Sequence, residues 1–173
     1  MWKDRGVAVT QQLARLTYEA LAECRSSIDA LDRLCSFELR TREDYLDLDW
    51  SPRPLELLAA KVDAELSAAI RDACSGGDEI NPAYREFPGS IVEHPVRALE
   101  PDAVRGVAAT LTRIEPEGLV AVLPPAAEAA RHIVGMEDFL GHPGDHLRGH
   151  YDSLRRFYEA AAARGQVTAS WWD

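Results

Sequence analysis

The side chains in this sequence best suited to chemistry fall in three short stretches. His142, His146 and His150 lie four residues apart, and on a helix the pair His146/His150 shares one face, where two imidazoles can meet one metal ion. Pro143-Gly144 breaks the helical path after His142, and the spacing fixes no acidic or cysteine ligand beside the pair. On a helical wheel His150 falls about 60° from the centre of the apolar stripe, beside Phe157, while His146 falls about 100° away on the wet side. His150 therefore reads as a rim histidine hydrogen-bonded at the edge of the core, and the pattern calls for no metal and no cofactor. The second stretch, Tyr45-Leu46-Asp47-Leu48-Asp49-Trp50, sends Asp47 and Asp49 to one side if extended, with Leu46, Leu48 and Trp50 on the other. Two carboxylates on one face can hold a divalent cation or work as an acid and a base. The simpler reading is a solvated edge over an apolar underside. His94, followed by Pro95, is the third stretch. Asp47, Asp49, Trp50, His94 and His150 form the candidate pocket, with no catalytic role assigned. The chain contains no P-loop, no GxGxxG following a strand, no GxSxG elbow and no HExxH.

The elements that must position these groups start at the C-terminal end. With Pro143 at the head of a helix, Leu147, Tyr151, Leu154, Tyr158 and Ala161 form one stripe at steps of three and four, which predicts a buried face. Gly165 supplies the left-handed stop. Beyond it Val167, Ala169 and Trp171 alternate with Thr168, Ser170 and Trp172, the pattern of a strand that folds back along the helix. Its expected partner is a first strand over Val7 to Ala14, and Val7 to Leu13 in particular.

Between the ends, Thr17 is expected to cap a short helix and Ser26 or Ser27 a second one carrying Ile28, Leu31, Leu34 and Cys35. Ser51-Pro52 opens what reads as the longest helix, Leu55 through Val62 and Ile70 to Cys74, with Trp50 packing on Leu55 ahead of the cap. Gly77 to Ser90 has loop chemistry, either a functional loop or a crossover pinned by Tyr84 and Phe87. Ile91 to Val96 is an extended piece that Pro95 restricts to an edge or a break. Pro101 begins a helix burying Val104, Val107, Ala108, Leu111 and Ile114. Shorter helical pieces follow, and the connection from Gly135 to Pro143 is expected to tuck Met136, Phe139 and Leu140 inward.

At 173 residues and 46% hydrophobic, the chain suits a single domain, 1–173, with one well-buried core. The formal net charge of −10 opposes binding to nucleic acid or anionic lipid, so neither is an expected partner. Cys24, Cys35 and Cys74 lack metal-ligand spacing and read as small apolar fillers. The opening residues show no signal-peptide run, and a cytoplasmic location is expected.

Four stretches carry a family resemblance: Gly6-Val7-Ala8-Val9-Thr10-Gln11-Gln12-Leu13, Tyr45-Leu46-Asp47-Leu48-Asp49-Trp50, His94-Pro95-Val96-Arg97-Ala98-Leu99, and the closing helix through Trp171-Trp172-Asp173. In this order the chain resembles the YfbM-like bacterial family, a domain of unknown function, over nearly its whole length. The resemblance implies a compact cytoplasmic α+β domain with the terminal strands in one small mixed sheet, and it carries no catalytic residues. Glu100 stands where a serine or threonine cap is expected before Pro101. Two functions remain open: a non-enzymatic acidic module that binds another protein, with immunity-type toxin neutralisation as one version, and a small enzyme with a carboxylate/histidine pocket, metal-dependent in one form. Convergence of the candidate side chains on one concavity separates them.

Overall fold

A computed structural model describes residues 9–90 and 92–173, with the side chain of His94 outside the description. In chain order the elements are β1 (Gln11–Leu16), α1 (Tyr18–Ser26), α2 (Ile28–Cys35), β2 (Tyr45–Asp47), α3 (Pro52–Ala59), α4 (Ala64–Ser75), β3 (Asp78–Glu79), β4 (Glu93–Leu99), α5 (Pro101–Leu111), α6 (Pro116–Val120), α7 (Ala127–Val134), α8 (Gly144–Ala163) and β5 (Val167–Trp172). The five strands form one sheet in the order β2-β1-β5-β4-β3. The fold is α+β. Each pairing among the described residues is antiparallel, where a mixed sheet is expected from the sequence.

The two ends of the described chain meet as anticipated. β1 runs antiparallel to β5 from Gln11 opposite Trp172 to Leu16 opposite Val167. The first strand lies later than the sequence suggests, at Gln11–Leu16. The expected Val7 and Ala8 lie outside the described residues. Gln11, Gln12 and Arg15 are buried in this strand despite their polarity, because both faces of the sheet are covered. One face carries α3 through α8 over a core that includes Leu13, Leu48, Leu55, Leu66, Val104, Leu147, Tyr151, Leu154 and Tyr158. The other carries α1 and α2 over Ala14, Leu16, Leu31, Leu34, Val96, Val167, Ala169 and Trp171. This second layer explains why β5, central in the sheet, is buried on both sides rather than alternating.

The stripe Leu147, Tyr151, Leu154, Tyr158 and Ala161 on α8 is fully buried, and Gly165 takes the left-handed conformation (φ 61°) that ends the helix. Thr17 and Ser27 accept the Ala20 and Ala30 N–H groups as N-caps. The single long helix expected from Leu55 to Cys74 is two. α3 ends at Ala59, and Asp63 accepts from the Glu65 and Leu66 N–H groups to start α4. The apolar steps at Leu58, Val62 and Leu66 continue across this break, which hides it from periodicity. β4 is an inner strand rather than an edge. It tolerates Pro95 because its pairing with β5 shifts register between Glu93 and Arg97 and because β3 pairs only with Arg97 and Ala98. The segment after Gly77 is a pinned crossover: Tyr84 is buried and donates its hydroxyl proton to Asp32 Oδ1 at 2.9 Å. Glu100 makes no side-chain cap to α5 and instead pairs with Arg25 at 2.7 Å. No helix among the described residues is long and apolar enough to cross a membrane.

Candidate functional site

The candidate residues are organised by the turn between β2 and α3. The turn is tied to the start of β1: Leu48 donates its N–H to Gln11 O at 2.9 Å, and Gln11 donates to Asp49 O at 2.8 Å. Asp49 takes a left-handed backbone (φ 55°), a region that short polar side chains tolerate. Its N–H donates to Asp47 Oδ1 at 2.6 Å. The chain therefore does not stay extended. Leu48 is buried, Asp49 is half-buried, and Trp50 swings to the surface at 40% exposure instead of joining an apolar underside. Its ring contacts are with His146 and Phe139, centroids 5.2 and 6.0 Å away.

Ser51, read as an N-cap, makes no cap hydrogen bond. Its own backbone is already helical, whereas a capping residue is normally extended. The fully buried hydroxyl lies 3.0 Å from His146 Nε2 instead. His146 is thus half-buried rather than wet. The helical wheel measures only the face that α8 turns to its core, and this turn and Phe139 cover a second one. The His146 ring stacks on Trp50 with an interplanar angle of 23° and meets the His150 ring edge to face, centroids 4.5 Å apart. Asp49, His146 and His150 each bring one ligand atom to within 4.8 Å of the others.

His150 sits at the core boundary as expected, but its ring makes no hydrogen bond among the described residues. Burial holds its pKa below the ordinary histidine value, the charge of His146 adds to the depression, and Asp49 and Asp47 oppose it. His142 stands apart. Its Nδ1 accepts the Gly144 N–H at 3.1 Å, which leaves Nε2 as the donor to Pro124 O at 2.9 Å, so it helps start α8. Asp47 is exposed and lines a different concavity of about 670 Å³ with Thr10, Gln12, Phe37, Arg42, Tyr45 and Asp173. The backbone of His94 is on β4, three strand positions from β2, hence about 14 Å away at ordinary strand spacing. Of the five candidates, the fold brings Asp49, Trp50 and His150 together, and it adds His146, Ser51 and Phe139.

Beside this cluster an open cleft of about 540 Å³ is lined by Trp50, Gly135, Met136, Glu137, Asp138, Phe139 and Leu140. Gly135 ends α7 in the left-handed conformation (φ 68°), and the chain turns over the cleft. Met136 is tucked in and Phe139 partly so, but Leu140, expected inside, is 93% exposed at the tip of the turn. The three cysteines are buried fillers. Burial pushes the Cys24 thiol up to about 11 and Cys74 up to about 12, values that leave little reactive thiolate.

A family described as a domain of unknown function (DUF1877) matches residues 8–169, and the chain belongs to it. One similar solved structure is that of a protein of unknown function, YfbM from Escherichia coli. It is similar with a TM-score of 0.56 over 93% of this chain and 97% of that one, at 11% sequence identity, a likeness of fold alone. The YfbM-like resemblance is borne out. Comparison with the curated proteins found no match.

Proposed function

We propose that this domain is a non-enzymatic binding module that receives a basic segment of another protein in the cleft beside Trp50. The observation that carries the reading is the lining of that cleft: two aromatic rings, Trp50 and Phe139, two apolar walls, Met136 and Leu140, and two carboxylates, Glu137 and Asp138. A lysine or arginine stem fits the apolar walls while its cation meets the ring faces and the carboxylates, an arrangement in which each cation–π contact contributes about 0.5–1 kcal/mol when exposed. Asp138 has no ion pair among the described residues, and Glu137 has one only with exposed His132 at 3.6 Å. The net charge of −10 draws a basic partner from a distance. Immunity-type neutralisation of a basic toxin is one instance of this chemistry. The enzyme reading has less support, since the hydroxyl beside His146 belongs to fully buried Ser51, out of reach of a substrate.

The test is an NMR titration with N-acetyl-lysine methylamide, its arginine counterpart and the uncharged norleucine analogue. The basic compounds are expected to shift residues 135–140 and the Trp50 indole, with the effect reduced by D138N and by added salt. Equal shifts from norleucine, or no shifts at these positions, overturn the proposal.

A further inference from the structure

We propose that Asp49, His146 and His150 form a binding site for one divalent transition-metal ion, of which zinc is the best-suited class. The inference rests on side chains other than the carboxylates of the cleft and stands or falls separately. The two imidazoles project one turn apart from the same helix, at positions i and i+4, a spacing that lets both nitrogens reach one ion. The carboxylate arrives from a different element, so the donors surround a point rather than form a row. Ligands at zinc distances of about 2.1 Å in a tetrahedron stand about 3.4 Å from each other. The three donor atoms already lie within 4.8 Å of one another, and the remainder falls to rotation of the Asp49 and His150 side chains about a restrained His146 ring.

The surroundings of the trio are those of a held site rather than a chance meeting. Ser51 Oγ, buried, sits 3.0 Å from His146 Nε2. When that nitrogen donates its proton to the hydroxyl, the tautomer is set and Nδ1 keeps the lone pair for the ion, the role that outer partners of metal-bound histidines ordinarily play. Trp50 and Phe139 flank the same ring at 5.2 Å each, which limits its rotation. Asp49 is fixed through both backbone groups, its N–H to Asp47 and its carbonyl to Gln11. Its carboxylate has no ion pair among the described residues. Two nitrogens and one oxygen suit zinc and its neighbours and do not suit magnesium or calcium, which prefer all-oxygen shells.

The experiment is calorimetric titration of the EDTA-stripped protein with zinc chloride, and separately with magnesium chloride, in a non-coordinating buffer. One zinc per chain and no magnesium binding are expected. H150N and D49N should each weaken zinc at least tenfold, and asparagine keeps the left-handed backbone at position 49 accessible. S51A should weaken it by about tenfold without abolishing it. H132N and H142N, which alter histidines outside the trio, should leave affinity unchanged. Thermal melts of each metal-free variant establish that it folds, and a zinc-induced shift of the His146 and His150 ring protons in the unmutated protein reads the site without any substitution. Zinc affinity unaffected by H150N and D49N, or ring signals unmoved by zinc, overturns the assignment.

Discussion

Replacing Tyr158 with phenylalanine probes the joint on which the fold depends, where the last helix, α4 and the last strand meet. The Tyr158 hydroxyl is fully buried, donates to Ala73 O at 2.8 Å and lies 3.1 Å from Thr168 Oγ1 on β5. Ala73 is in the last turn of α4, where carbonyls have no partner within the helix. Phenylalanine preserves the packing and removes only the hydroxyl, so the cost is that of leaving a buried carbonyl and a buried threonine hydroxyl short of a partner. Such a group costs about 1–3 kcal/mol, and we take about 2 kcal/mol for the pair because the threonine hydroxyl can rotate. For a domain of this size that lowers the melting temperature by about 4–8 °C. The assay is thermal and urea unfolding followed by circular dichroism for Y158F, T168V and the double variant. The double variant is expected to cost less than the two single changes added together, because the hydroxyls partner each other. A Y158F melt within about 1 °C of the unmutated protein, or strictly additive costs, refutes the reasoning.

Four further outcomes follow from other parts of the fold. Gly77 has φ 84°, and a β-carbon there would stand 1.9 Å from the Ala98 carbonyl oxygen, so G77A should cost about 4 kcal/mol or more and yield little soluble protein. Gly165 is also left-handed but faces open space, so G165A should cost only about 1–2 kcal/mol in urea unfolding. D63A removes the cap that starts α4 and should cost about 1 kcal/mol in the same assay. The fourth outcome concerns pH. Burial and His146 hold His150 below its ordinary value against the pull of Asp49 and Asp47, so the unfolded chain takes up this proton first as the pH falls. Stability should drop as the pH falls through about 6.5 and stop dropping once the folded ring is protonated as well. H150Q should flatten that part of the profile between pH 7.5 and 5.5, measured by melting temperature.

The closing helix and strand were legible in the sequence because α8 carries its own pattern: one apolar stripe, one glycine stop, one alternating strand. Thr17 and Ser27 were legible as caps for the same local reason. What escaped depends on contacts between segments distant in sequence. The second layer of helices over β1 and β5 cannot be inferred from strand periodicity, and it covers the face that carries Ala14, Leu16 and, by alternation, Gln12, while Arg15 on the opposite face is buried over the Phe157 ring of α8. The break before Asp63 is masked by apolar spacing that persists through it. At the site, His150 and Asp49 could be named from residue type and spacing. His146 could not be placed, since its burial comes from the turn at residues 47–51 and from Phe139 rather than from its own helix. Ser51 carried a signal that pointed elsewhere, because a serine before Pro52 has the signature of a cap. His94 joined the candidates by residue type and by its place in a stretch that carries the family resemblance, and sheet order sets its backbone apart.

The turn after β2 and the first two turns of α8 close into one site, with His146 held between Ser51 and Trp50. Long-range nitrogen-15 spectra of the imidazoles, recorded with ring-to-ring Overhauser contacts, test it most directly. Contacts from His146 to Trp50, Phe139 and His150 are expected, with a change at His146 Nε2 in S51A that leaves His132 and His142 unaltered. A His146 ring without those contacts, unmoved by S51A, contradicts it.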